Sequence, residues 1–157
     1  MTRISEITMK QLPAVQMLTI RKTINFFTEY TALMESATSG ILSLIRSNGT
    51  YPSTGPIVCF HNIELEALDV EIGYAVAQPI DSQGDIQSVS LPARIVAVTI
   101  DRGPYEEQDP TLESMMKWIP EHGFAAAGGI FYHYLNDENQ KPSEYLTEMF
   151  MPVVKAN

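Results

Sequence analysis

The chain has 157 residues and sets 19 Asp and Glu against 10 Lys and Arg, a net charge of −9. At 45% hydrophobic and 18% charged, it has the composition of one globular domain with a core of its own, not of a disordered segment. The acidic balance argues against direct nucleic-acid binding, which needs a Lys/Arg surface, and against docking on anionic membranes.

In chain order, the opening Met-Thr-Arg-Ile-Ser-Glu-Ile has an early Glu6 and no apolar stretch, so it does not read as a signal peptide. Residues 4–20 are mostly strand-like: Ile7 and Met9 alternate, and Pro13 marks a bulge or an edge. From Thr23 to about Ser47, Phe27, Tyr30, Met34, Ala37, Ile41, Leu44 and Ile45 recur at spacings of three and four, which predicts an amphipathic helix. Asn48-Gly49 stops it. Residues 57–62 and 67–76 predict two strands, and 78–90 a polar connector. Strands follow over 86–100, then a helix from Pro110 with Asp109 as N-cap and Leu112, Met115, Met116 and Ile119 buried. Pro120 kinks it or starts a new turn, and 130–135 and 145–154 predict the last strands. No stretch approaches 18 apolar residues, so no bilayer-spanning helix is expected. Cys59 stands alone and cannot form an internal disulfide, which predicts a cytoplasmic protein.

The chain also resembles itself. Leu12-Pro13-Ala14 recurs as Leu91-Pro92-Ala93, each followed by an apolar run. Asn48-Gly49 matches His122-Gly123, Gly55-Pro56-Ile57 lies near the register of Gly128-Gly129-Ile130, and Val70-Glu71-Ile72 aligns with Thr147-Glu148-Met149. The same order of matches predicts duplicated β-α-β-β repeats, one over about 1–78 and one over about 84–154. Together they would form a single α+β domain over 1–157, a two-layer antiparallel sheet-and-helix structure.

Few residues have the spacing of a chemical site. His61, His122 and His133 are scattered and show no metal-ligand pattern, so no metal is expected. No Gly-rich sequence follows a strand, and no cofactor is expected. Cys59 has His61 two positions on, on the same strand face, but a buried structural thiol is the commoner case. The paired glutamates carry more. Alternation puts Leu146, Glu148, Phe150 and Pro152 on one strand face and Thr147, Met149, Met151 and Val153 on the other, both apolar apart from Glu148. A carboxylate in such a setting takes a partner or has a raised pKa. Glu71 has a similar setting, and for either residue an edge position in water or an Arg94 or Arg102 partner remains open. Tyr105, Trp118, Tyr132, Tyr134 and Phe150 belong to the same half as Glu148. A carboxylate ringed by aromatics suits a lipophilic cation, and with a raised pKa it would serve as a general acid or base.

Leu91-Pro92-Ala93, Gly103-Pro104-Tyr105, Trp118-Ile119, Gly123, Tyr134-Leu135-Asn136-Asp137 and Glu148 with Pro152-Val153 resemble the GyrI-like small-molecule-binding domain family. The resemblance implies the duplicated fold with a central ligand cleft, in which Glu148 matches the family's pocket glutamate and aromatic walls surround it. Asp101 stands where a His often precedes Gly-Pro-Tyr, and Glu138 where a Pro is common. Members of the family are fused to DNA-binding modules, modulate gyrase, or hydrolyse cyclopropane-containing genotoxins. With Met1 at the first strand, a stand-alone form is expected.

The first expectation is therefore a binding protein for amphipathic, cationic or aromatic small molecules. Glu148 would supply the charge, Tyr105, Trp118, Phe150 and Tyr134 the walls, and Glu71 a weaker counterpart. The second is a hydrolase opening a cyclopropane-containing electrophile with Glu148 as its catalytic residue. The third is a modulator of DNA gyrase acting by protein interaction.

Overall fold

The computed structural model describes residues 2–137 and 139–157; Met1 and Glu138 lie outside the described residues. In chain order the elements are β1 (Thr8–Leu12), β2 (Val15–Ile24), α1 (Phe26–Ser47), β3 (Ile57–Phe60), β4 (Leu68–Val76), β5 (Gln87–Leu91), β6 (Arg94–Arg102), α2 (Asp109–Glu121), β7 (Phe124–Ala126), β8 (Ile130–Tyr134) and β9 (Leu146–Lys155). This is the α+β class, and its strands pair antiparallel. The chain folds as two compact units, one continuous (Ala14–Pro92) and one divided (Met1–Pro13 with Ala93–Asn157).

In the continuous unit the strand order is β3-β4-β2-β5. β2 pairs with β4 over nine residues and with β5 over five, and β3 pairs with β4. One face is covered by α1, where Leu18, Ile41, Ile45, Val58, Leu68, Val70 and Ile72 are buried. Asn25 starts the helix: its side chain accepts from the Phe27 N–H at 3.0 Å, and Glu29 accepts from the Asn25 N–H at 2.9 Å. Asn48 ends it, with Gly49 at φ +74° taking the left-handed turn. The buried stripe is Leu33, Ala37, Ile41, Leu44 and Ile45. It differs from the expected one at its start, where Phe27 is 69% exposed and Leu33 takes the place of Met34. Tyr30 turns instead to a cluster with Phe26 and Phe60.

Gly73 is required where β4 crosses β2. It pairs with Thr19, and a Cβ there would lie 2.3 Å from the Leu18 carbonyl oxygen and 2.7 Å from the Thr19 methyl. No side chain fits at that distance.

In the divided unit the order is β8-β9-β6-β1, with β7 added on β9. Met149, Met151 and Val153 of β9 are buried on one face, together with Met115 and Ile119 of α2. The helix begins at Asp109 with Gln108 as N-cap, one position before the expected cap. Gln108 is buried and donates through Nε2 to Thr147 at 2.9 Å, which ties the helix start to β9. Met116, expected to be buried, is 51% exposed, and Thr111 faces the sheet instead. Pro120 sits in the last turn and the helix ends one residue later.

Along the chain the continuous unit runs β2-α1-β3-β4-β5, and the divided unit has β1 followed by β6-α2-β7-β8-β9. β1 joins the divided unit and β5 the continuous one, so both Leu-Pro-Ala tripeptides straddle passages from one unit to the other. Proline lacks the N–H that a ladder needs, which accounts for β1 ending at Leu12 and β5 at Leu91.

Candidate functional site

Glu148 is half-buried on β9 of the divided unit, its side chain 24% exposed. It faces His133 across the β8–β9 ladder, as Phe150 faces Phe131. Register therefore places two rings, an imidazole and a carboxylate on one sheet face. His133 Nδ1 lies 3.4 Å from Oε1 of Glu148, long for a hydrogen bond, so it steers the carboxylate more than it clamps it. Among the described residues Oε2 accepts no hydrogen bond. The His133 contact holds the carboxyl below the usual carboxylate range, burial opposes it, and the charges of His133 and Lys10 add to the lowering. Glu148 has thus taken a partner instead of a raised pKa.

Phe150 is 5% exposed and stacks on Phe131, with centroids 4.8 Å apart and planes 10° apart. Val96, Val98 and Leu12 pack against the pair. The Arg94 guanidinium lies 5.5 Å from the Phe131 centroid and 5.9 Å from that of Phe150. Arg94 therefore serves the ring pair as a cation, and the partner of Glu148 is His133.

Other expected wall residues are gathered elsewhere. Tyr105 stacks on Tyr145 at 4.8 Å and meets Tyr134 at 4.9 Å. Tyr134 pairs with Thr147, so it belongs to the opposite face of the ladder from Glu148. The Gly-Pro-Tyr motif builds this cluster: Gly103 takes φ +130°, open to glycine, and donates its N–H to the Tyr145 carbonyl at 2.9 Å. Asp101, just before the motif, is 1% exposed and accepts from the hydroxyls of Thr2 at 2.7 Å and Thr111 at 2.8 Å. Trp118 stacks on His122 along α2, with centroids 3.8 Å apart.

Glu71 lies in the continuous unit and both its oxygens are engaged. Oε2 accepts from the Thr19 hydroxyl at 2.7 Å and Oε1 lies 2.8 Å from His61 Nε2. Sequence reading missed His133, Phe131 and Thr19 as partners. Strand register pairs His133 with Glu148, Phe131 with Phe150 and Thr19 with Gly73 beside Glu71, and register leaves no local trace in the sequence.

The half-buried Glu148 carboxylate and the stacked Phe131–Phe150 pair lie within the divided unit. Among the described residues no group of three His, Cys, Asp or Glu is placed to hold a metal ion, and no helix is long and apolar enough to cross a membrane. The chain belongs to the GyrI-like small molecule binding domain family, which it matches over residues 5–154. Among solved structures it is similar to the EcmrR C-terminal domain, with 20% identity, TM-score 0.81 and coverage of 96% of this chain and 98% of that one. In the EcmrR–DNA complex it spans 58% of the longer EcmrR chain. A hydrolase encoded by lin2189 from Listeria innocua is similar at 12% identity and TM-score 0.73, over 97% of this chain and 93% of that one. SAV2435 bound to tetraphenylphosphonium is similar at 16% identity and TM-score 0.63, over 96% and 94%. At these identities the structures share a fold. A comparison with curated proteins finds no match.

Proposed function

We propose that the chain binds amphipathic organic cations, with Glu148 as the counter-charge and Phe150 and Phe131 as the aromatic surface beside it. The observation that carries this reading is the state of the carboxylate. Glu148 is kept ionised, has one oxygen without a partner among the described residues, and shares a face with a stacked ring pair. Glu71 is the poorer anchor because Thr19 and His61 already occupy both of its oxygens. The SAV2435 complex supplies a suitable probe, since tetraphenylphosphonium is a lipophilic cation.

At a ligand concentration a hundredfold above Kd, binding stabilises the fold by about 2.7 kcal/mol. For a chain of this size that corresponds to a rise in Tm of roughly 5–11 °C. Tetraphenylphosphonium should produce such a rise with the native chain and none with Glu148→Gln. An equal rise in both would move the site away from Glu148.

A hydrolytic reading uses the same carboxylate. Held ionised, Glu148 would act as a base toward water and not as an acid toward a leaving group. Turnover of a cyclopropane-containing electrophile, lost in Glu148→Gln with binding retained, would place hydrolysis first. Inhibition of gyrase supercoiling with neither binding nor turnover would favour protein interaction.

A further inference from the structure

The chain's single cysteine, Cys59, is 3% exposed, and its Sγ lies 3.9 Å from Nδ1 of His61. The other ring nitrogen of His61 is 2.8 Å from Glu71, and Thr19 donates to the second oxygen of that carboxylate at 2.7 Å. Thiol, imidazole, carboxylate and hydroxyl therefore form one connected series. Backbone register builds it: Cys59 pairs with Glu71 across β3–β4, and Gly73 beside Thr19 leaves room for the close β2–β4 approach. With the carboxylate on Nε2, the proton of the neutral ring is assigned to Nε2 and the lone pair of Nδ1 faces the sulfur. Arg21, held to Asp69 at 2.7 and 2.9 Å, is near enough to feel the charges of both Glu71 and Cys59. A base at the thiol and a guanidinium nearby are the surroundings that favour a thiolate.

We propose that Cys59, His61 and Glu71 form a thiol-activating relay that captures small soft electrophiles of the α,β-unsaturated carbonyl class. His61 Nδ1 takes the thiol proton, and sulfur attacks the β-carbon. One S–C bond forms, the C=C π pair shifts toward the carbonyl, and the imidazolium returns its proton to the α-carbon. The product is a thioether, and no other reactant is consumed. Cys59 and His61 act on the reacting atoms. Glu71, held by Thr19, is a positioning residue that fixes the imidazole tautomer and balances the imidazolium. Among the charged and titratable groups near the thiol, His61 and Glu71 belong to the series, Arg21 feels the thiol's charge, and Asp69 holds Arg21. The near-complete cover of Cys59 restricts the electrophile to small molecules arriving along the His61 side, whose side chain is 25% exposed.

N-ethylmaleimide, a conjugate-addition electrophile, tests this on the full native chain, with adduct formation followed by intact-mass spectrometry across pH. The expected result is one adduct, absent in Cys59→Ser, with a rate that levels off at a pH where an ordinary thiol's still rises. At neutral pH, His61→Gln should slow the reaction roughly a hundredfold and restore the ordinary thiol profile. Glu71→Gln should shift the profile by a smaller amount. Melting curves establish that each variant is folded, and the wild-type profile stands alone if a variant is not. Modification of wild type only at the rate of global unfolding, or equal rates in wild type and folded His61→Gln, would overturn the relay and leave a buried structural cysteine.

Discussion

Protonation of Glu148 is opposed by His133 and favoured by burial, and the first effect is the larger. Its carboxyl pKa in the folded chain lies below the ordinary value of 4.5, so its contribution to stability is fully present above that value. That contribution is lost as pH falls through the depressed folded pKa. Stability curves of wild type and Glu148→Gln should therefore converge in acid and separate as pH rises past 4.5, read by urea unfolding at each pH. His133→Phe keeps a ring but removes the donor, leaving burial as the main influence; the NMR titration of Glu148 should then move upward. An unmoved titration would show that the 3.4 Å contact does not govern the carboxylate. Gly73 makes a second prediction at this scale. Gly73→Ala pushes a methyl against the Leu18 carbonyl and should cost about 2–3 kcal/mol, as a lower urea midpoint with an unchanged slope.

Among the elements, α1 separates what periodicity can reveal from what it cannot. Ala37, Ile41, Leu44 and Ile45 were readable from spacing and are buried. The first two turns were not, because several apolar residues compete there and packing against the sheet selects Leu33 over Met34. Leu33→Ala should therefore cost about 2–5 kcal/mol, while Phe27→Ser stays within about 0.5 kcal/mol. Comparable losses from the two would show that the helix is rotated from this description. β9 was legible as a strand with both faces apolar from Leu146 to Val153 and Glu148 as its one charged side chain there. The companions of that glutamate were not legible. His133 meets it, and Phe131 meets Phe150, through the β8–β9 register, while Tyr134, attractive in the sequence, pairs one position away on the opposite face.

Over the whole molecule, the net charge of −9 means that like charges repel on average in the compact state. Added salt screens that repulsion beyond a Debye length of about 8–10 Å at physiological strength. Tm should rise between low and physiological salt, while tetraphenylphosphonium affinity falls only modestly because Glu148 is half-buried. A collapse of affinity with salt would indicate attraction by net charge alone. The matching segments in sequence order led to an expectation of two sets of strand, helix, strand and strand. They could not reveal which set each flanking strand would join, since that choice rests on long-range pairing of β1 with β6 and β5 with β2.

Those two strand assignments bear on the order in which the chain becomes native during synthesis. Residues 14–92 form a contiguous unit, complete once β5 has left the ribosome. The other unit cannot close until β6 appears, so β1 waits with its backbone edge unpaired for some eighty residues of elongation. A nascent chain arrested once residue 92 has left the ribosome should already protect β2, α1 and β4 from proteolysis while residues 8–12 remain cleavable. The same asymmetry predicts that a fragment of residues 14–92 folds by itself, and that 93–157 does so only when a peptide carrying residues 2–13 is supplied.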